Sequence, residues 1–221
     1  MPYLDFTRAR FVPSLGADFL ETWGSPVGYA KDFAAMRATD LESRFVAVEP
    51  RLSLTAANAD EWIAARPGGE MALALGMVRV ILSEGLAVAT GTAPLMDLVA
   101  AYTPEAVAAQ TDVPADTVRR LARAFDRAAA EHGGGGGVSS QSEQSVASLA
   151  AVNLLNWVAG NVGETVRFDR ALNFDAVGSF ADVQRLIATM ADGGLDALIV
   201  YGANPAYAVP GWAGCRRRWT R

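Results

Sequence analysis

The chain has 221 residues, 51% of them hydrophobic and 19% charged, with a formal net charge of -5. That much apolar content builds a sizeable core in one domain or two small lobes, and the acidic balance, with a pI near 4.9, excludes the basic face that a nucleic-acid backbone requires. Cys215 is the single cysteine and His132 the single histidine, which excludes a disulfide framework, a four-cysteine iron–sulfur cluster and a His pair for zinc within this chain.

Ala9 to Leu15 (ARFVPSL) reads as a strand, with Pro13 counting against a central position. Gly16-Ala17-Asp18-Phe19 closes it, and Tyr29, Phe33 and Met36 share one face of a helix over Tyr29 to Ala38. The stretch from Arg44 to Leu82, around which the rest is organised, reads as a strand, a long loop and a helix. Phe45, Val46, Ala47 and Val48 form an unalternated apolar run, the mark of a short strand buried on both faces. Glu49-Pro50-Arg51 opens the loop and Pro67-Gly68 punctuates its end. From Met71 to Leu82 Arg79 is the only charge, the pattern of a buried helix packed on a sheet. Strand, turn, helix and strand in this order predict a right-handed parallel crossover. A glycine-rich turn that opens a helix with free backbone N–H groups makes a place for a polar ligand at the strand's carboxyl end.

Glu84 to Pro94 is a Gly- and Thr-rich loop, and Pro104 to Ala109 and Pro114 to Ala130 are helices with proline in the first turn. In the second, Val118, Leu121, Ala122 and Phe125 form the apolar face, while Arg119, Arg120, Arg123 and Asp126 decorate a solvated one. His132 reads as a solvated loop histidine beside Gly133 to Gly137, which is either a flexible linker or a backbone that approaches something closely. Gln141, Ser142 and Gln144 follow. Ala147 to Gly160 is an apolar helix closed at Gly160.

Val183 to Met190 is an amphipathic helix stopped by Gly193-Gly194, and Ala197 to Tyr201 (ALIVY) is a buried strand ending in Gly202-Ala203-Asn204-Pro205. That ending echoes Gly16-Ala17-Asp18-Phe19, which predicts two α/β lobes whose equivalent loops face one cleft. No apolar run approaches the roughly 20 residues of a membrane span, the N-terminus lacks the regions of a signal peptide, and the chain starts directly on a core strand. Gly214 to Arg221 turns abruptly basic and has no helical or strand period. It reads as the product of a shifted frame or broken gene end, disordered or loosely packed: a helix should follow the Ala203-Asn204-Pro205 loop, and Gly211 to Arg221 supply no apolar face for one. Backbone N–H groups near Gly16, Gly68 and Gly202 could cradle phosphates, or these could be ordinary turn glycines. A nicotinamide dehydrogenase is excluded, because no Gly-x-Gly-x-x-Gly joins a strand to a helix.

Pro50-Arg51, Ala59-Asp60, Trp62 and Arg66-Pro67-Gly68-Gly69-Glu70 before Ala72-Leu73-Ala74 resemble a segment of the molybdopterin oxidoreductases of the dimethyl sulfoxide reductase family. There the pattern is Asp-Pro-Arg, an Ala-Asp pair and Arg-Pro-Gly-Thr-Asp. Glu49 and Glu70 stand here in place of Asp, and Gly69 in place of Thr. Tyr102 to Ala122 and the Asn161-Val162-Gly163 passage resemble the same family, so that the likeness covers most of Asp5 to Pro210.

The resemblance implies an α/β fold of two Rossmann-like parallel-sheet lobes, incomplete at both ends. The first lobe would span 1–100, a helical connection 101–131, a partial second lobe 132–210 and an aberrant tail 211–221. Carried over by position, dinucleotide contacts would come from Gly16, Ala17, Asp18 and Glu21, from Glu49, Pro50 and Arg51, and from Gly68, Gly69 and Glu70. Gln141 would touch a pterin and Asn204 would serve the second lobe. A carboxylate suits the N–H donors of a guanine edge, whereas Asp18 and Glu49 would repel a pyrophosphate.

Asp18 to Trp23, Ser25-Pro26-Val27 and Leu52 to Asp60 resemble most the molybdopterin-like part of the fused iron–sulfur subunit of alternative complex III, a quinol:cytochrome c oxidoreductase. This implies a cofactor-free scaffold in a membrane-associated respiratory complex on the periplasmic side. Its partners would be iron–sulfur and cytochrome subunits, not nucleic acid, and it would span no membrane itself. Molybdopterin guanine dinucleotide would bind only if the parent protein is an active family member. No catalytic residue and no metal ligand is placed in this chain, which alone is expected to be inactive and to contain no stoichiometric molybdenum, iron or zinc.

Overall fold

The computed structural model describes residues 2–39, 41–87, 89–132, 138–139, 146–170 and 177–213. The expectations for Gly133 to Gly137, Gln141 and Gly214 to Arg221 lie outside these residues. The strands are β1 (Tyr3–Leu4), β2 (Phe11–Leu15), β3 (Arg44–Val48), β4 (Glu61–Ile63), β5 (Val138–Ser139) and β6 (Val166–Arg167). The helices are α1 (Pro26–Thr39), α2 (Leu54–Ala57), α3 (Glu70–Ser83), α4 (Leu95–Leu98), α5 (Pro104–Thr111), α6 (Ala115–His132), α7 (Val146–Val158), α8 (Phe180–Ala191) and α9 (Pro205–Ala208), with 3-10 turns at Phe6–Arg8 and Gly211–Ala213. His132 is thus the last residue of α6 and not part of a loop. Among the described residues no helix is long and apolar enough to cross a membrane.

The chain forms two compact units, Met1–Leu172 and Asn173–Arg221. Helices α5, α6 and α7 all pack on α3 inside the first unit.

A parallel sheet of order β4-β3-β2-β5 centres the first unit. In β2 and β3 successive side chains point to opposite faces, and the core divides accordingly. Phe11, Leu15, Val46 and Val48 join α3, α6 and α7 residues in one apolar cluster, while Val12, Phe45 and Ala47 join Phe19, Tyr29 and Met36 in the other. This is why Phe45 to Val48 shows no polar alternation: both faces of the strand are covered. Each such side chain contributes about 1.5–3 kcal/mol when fully buried.

Pro13 sits in the centre of the sheet after all. Arg44 N–H donates to the Arg10 carbonyl and Gly16 N–H to the Val48 carbonyl, so the even-numbered residues of β2 bond to β3. The missing N–H of Pro13 therefore faces the side of β5, whose pairing among the described residues runs from Ser14 onward.

Helix α3 is buried along nearly its whole length and lies against α5, α6 and α7. A Cβ at Gly76 would come within 2.7 Å of Val107 Cγ2, so glycine permits the approach of α3 and α5. On α6 the predicted stripe of Val118, Leu121, Ala122 and Phe125 is fully buried. The basic residues beside it are not merely solvated: Arg119 pairs with Glu105, Arg120 with Glu61 at 2.6 Å and Arg123 with Glu84 at 2.8 Å. Asp126 departs from the predicted solvated face altogether, being 7% exposed. At four residues after Ala122 it stands on the flank of the apolar stripe and is carried inward with it.

In the second unit α8 opens with a reciprocal capping box, in which Asp182 N–H donates to Ser179 Oγ at 3.3 Å and Ser179 N–H to Asp182 Oδ2 at 2.6 Å. The expected buried strand at Ala197 to Tyr201 is absent, since these residues join no sheet and all are exposed. A strand needs hydrogen-bonded neighbours and covered faces, and neither is present here among the described residues. A single helical turn follows Asn204, whose side chain caps it by accepting from Tyr207 N–H.

Candidate functional site

Ten of the twelve candidate residues lie in three loops that follow the carboxyl ends of the parallel strands β2, β3 and β4. The first is Gly16 to Glu21, where Gly16 takes a φ of 73° as the chain leaves β2. Ser14 Oγ closes this turn, donating to the Ala17 carbonyl at 2.9 Å and accepting from Ala17 N–H at 3.2 Å. The Asp18 carbonyl then accepts from the N–H groups of Glu21, Thr22 and Trp23.

The second loop, Glu49 to Arg51, leads into α2, a helical turn that sequence reasoning passed over. Ser53 is its N-cap, accepting from Ala56 N–H at 3.0 Å. Glu49 Oε1 accepts from Ser53 N–H at 2.9 Å, and Glu21 Oε1 accepts from Leu54 N–H. Leu20 N–H donates to Thr55 Oγ1 at 3.2 Å. The first two loops are therefore clasped to one another through the amino end of α2. Ser53 ahead of a short Ala- and Thr-containing run was the cap signal in the sequence.

The third loop is a turn across Arg66-Pro67-Gly68-Gly69, closed by Gly69 N–H on the Arg66 carbonyl at 3.0 Å, with Gly68 at φ 80°. Pro67 and Gly68 occupy the positions that a type II turn assigns to proline and glycine. Arg66 ties the turn to the end of α5, with Nε on Asp112 Oδ2 at 2.6 Å. A Cβ at Gly69 would meet Thr111 Cγ2 at 2.9 Å and the Arg66 carbonyl at 3.0 Å, so this chain leaves no room for the threonine of the family pattern without a shift. Glu70 opens α3, where a carboxylate complements the helix dipole.

Asp60, of the Ala59-Asp60 pair, is a structural tie that the sequence did not reveal as such. Its Oδ2 accepts from Phe45 N–H at 2.7 Å and from Arg37 at 2.6 Å, while Asp60 N–H returns a bond to the Phe45 carbonyl. Burial pushes its carboxyl upward, yet the Phe45 N–H and the Arg37 guanidinium outweigh this and hold it below the usual aspartate range. A depressed folded-state pKa gives stability that is present above the unfolded value and is lost as pH falls through the folded one. With the side chain 24% exposed, Asp60→Asn is expected to cost about 1 kcal/mol at pH 7 and less below pH 4. Urea denaturation at both pH values measures this.

The fit of these loops to a dinucleotide follows from their donors. A pyrophosphate requires free N–H groups or cations. The N–H groups of Gly16, Ala17, Glu21, Glu49 and Gly69 all donate to other groups of this chain. Asp18, Glu49 and Glu70 are 4%, 6% and 8% exposed, and Glu21 and Glu49 accept from the adjacent N–H groups of Leu54 and Ser53, whereas Arg51 and Pro50 are exposed. As arranged, these five N–H groups are not available to a pyrophosphate. One acceptor is left over: Asp18 Oδ2 accepts from Thr22 Oγ1 at 2.7 Å, but Oδ1 is buried without a partner. Asn204 belongs to the second unit and caps α9, and no strand precedes Gly202, so the equivalence drawn with Gly16 lacks its second half. Among the described residues no group of three or more His, Cys, Asp and Glu side chains could hold a metal ion.

No protein-family model matches the chain. It is 32% identical over 225 residues to the molybdopterin-binding-like subunit of menaquinone reductase from Nitratidesulfovibrio vulgaris, a match covering 93% of this chain and 32% of that protein. It is also 32% identical over 168 residues to the molybdopterin-containing subunit of thiosulfate reductase from Salmonella typhimurium, covering 72% of this chain and 22% of that subunit. The chain thus spans about a third or less of the length of these relatives. Among solved structures, acetylene hydratase from Pelobacter acetylenicus shares the fold with a TM-score of 0.61 at 20% identity, over 75% of this chain and 23% of its own. The sequence likenesses support the molybdopterin oxidoreductase family for this chain, and the structural likeness supports the fold.

Proposed function

We propose that the chain is a fragment of a molybdopterin oxidoreductase-like subunit of a respiratory electron-transfer complex, and that it serves there as a cofactor-free scaffold beside iron–sulfur modules. The observation that carries this is the clasp at the carboxyl end of the sheet, where Glu49 and Glu21 take the N–H groups of Ser53 and Leu54 and the N–H groups of Gly16, Ala17, Glu21, Glu49 and Gly69 donate within the chain. The menaquinone reductase subunit, which is described only as molybdopterin-binding-like, lends support, and a quinone reductase accords with a respiratory role. The partners on this reading are iron–sulfur and cytochrome subunits of a complex such as alternative complex III, on the periplasmic side of the membrane.

A second reading is an active molybdopterin-guanine-dinucleotide oxidoreductase. It is favoured by the unpartnered, buried Oδ1 of Asp18, an acceptor suited to an N–H of a guanine edge, and by the molybdopterin-containing subunit among the relatives. The longest product of the gene, purified under gentle conditions, separates the two. Elemental analysis and fluorescence of oxidised pterin are expected to give molybdenum and pterin far below one per chain. One tightly held molybdenum per chain would overturn the scaffold.

A further inference from the structure

Arg79 is a cation without a counter-charge. It is the only charged residue from Met71 to Leu82, and the segment from Gly85 to Met96 has none. Helix α3 carries it half-buried between Val78 and Val80 of the core, and its Nη1 finds only the sulfur of Met96 at 4.0 Å, a weak acceptor. Glu84 is held by Arg123 at 2.8 Å, and Asp97, beside Met96, is exposed and forms no ion pair among the described residues. The contact with Met96 brings the guanidinium to the end of the loop before α4, where Met96 N–H donates to the Ala93 carbonyl at 3.3 Å and Leu95 N–H to the Thr92 carbonyl at 2.9 Å. The N–H groups of Thr90, Gly91, Thr92 and Ala93 donate to no group among the described residues, and neither threonine hydroxyl has a partner there. Gly91 takes a φ of 75°, and a Cβ placed on it would meet nothing within 4 Å, so the space beside it is open. Any solvated loop has free N–H groups, and an exposed arginine needs no partner. This place differs in joining both to a half-buried charge whose desolvation nothing in the chain offsets.

We infer that Arg79 and the loop from Thr90 to Ala93 form a binding site for a phosphate-class oxyanion, supplied either as a free phosphate or as the headgroup of an anionic lipid. A guanidinium fork offers such a group two parallel N–H donors. Successive backbone N–H groups around a positive-φ glycine, with a hydroxyl on either side, accommodate its remaining oxygens. The site is distinct from the three loops at the strand ends, because Arg79 lies nine residues along α3 from Glu70, about 14 Å at the rise of a helix. It needs no cofactor, so it stands whichever reading of the function holds.

Titration calorimetry of the 221-residue chain with inorganic phosphate, at constant ionic strength, is expected to show one saturable site. Arg79→Gln should weaken it about tenfold or more. Arg127→Gln, which removes the same charge from an exposed position of α6, should change it less than about twofold. No saturable binding, or equal effects of the two substitutions, overturns the inference. Amide NMR of the unaltered chain makes the test independent of how the variant folds: phosphate should shift the resonances of residues 90–93, and shifts that avoid them overturn the inference as well. So does acetate binding as tightly as phosphate, which would assign the arginine to a carboxylate. Sedimentation with vesicles of phosphatidylglycerol or of phosphatidylcholine separates the two sources. A preference for phosphatidylglycerol that Arg79→Gln removes identifies the lipid headgroup, whereas equal sedimentation with both, beside saturable phosphate binding, identifies the free ion.

Discussion

Phe19→Ala is expected to destabilise the first unit by about 3–5 kcal/mol, a large share of the roughly 5–15 kcal/mol that holds a typical domain folded. Phe19 is fully buried and its ring centre lies 4.8 Å from Phe6, 5.3 Å from Phe45, 6.1 Å from Phe33 and 6.4 Å from Tyr29. It thus links the first turn, the sheet and α1. Removing the ring loses its transfer energy and opens a cavity that four rigid aromatic neighbours cannot collapse to fill. The same burial pushes the Tyr29 phenol up to about 12. Urea unfolding followed by near-ultraviolet circular dichroism measures the loss. Leu41→Ala, at a residue that is 92% exposed, should move the midpoint little and serves as the control. A shift for Phe19→Ala no larger than that of the control would show that the aromatic cluster does not hold the unit together.

Asp126→Asn is expected to act in the opposite direction and to stabilise the chain by about 1–3 kcal/mol at pH 7. The carboxylate is buried on α6, Oδ1 has no hydrogen-bond partner, and burial pushes its pKa above the ordinary aspartate value. A raised folded-state pKa means that the native chain holds this proton more tightly than the unfolded one. Stability from this group is therefore greatest below the unfolded pKa of about 4 and falls as pH rises toward the folded value, beyond which the cost is constant. The gain from asparagine should be present at pH 7 and should vanish near pH 3. Thermal melting of both proteins across that range reads it directly, and a gain that is the same at both pH values would mean that charge burial is not its source.

Much of the local structure could be read from the residues. Phe45 to Val48 is legible as a doubly buried strand because its apolar run is short and unalternated, and α6 because Val118, Leu121, Ala122 and Phe125 keep the helical period. Both signals arise from side chains close in sequence. The glycines at 16, 68 and 160 also sit where positive φ was needed, a backbone requirement that glycine meets without steric cost.

The tertiary structure decided which polar groups those elements turn inward. Asp126 shares its sequence neighbourhood with three arginines, yet they find carboxylates on Glu105, Glu61 and Glu84 while it enters the core. Pro13 is tolerated in a central strand because of which neighbour its nitrogen faces. The candidate loops were legible as positions at strand ends, but their hydrogen-bond partners were not, since Glu21 to Leu54 and Leu20 to Thr55 span 33 and 35 residues. Ala197 to Tyr201 marks the same boundary from the other side. Its residues carry the preference for a strand by themselves, but a strand exists only when a distant segment supplies hydrogen-bond partners and cover, and no periodicity within five residues can state whether that segment is there.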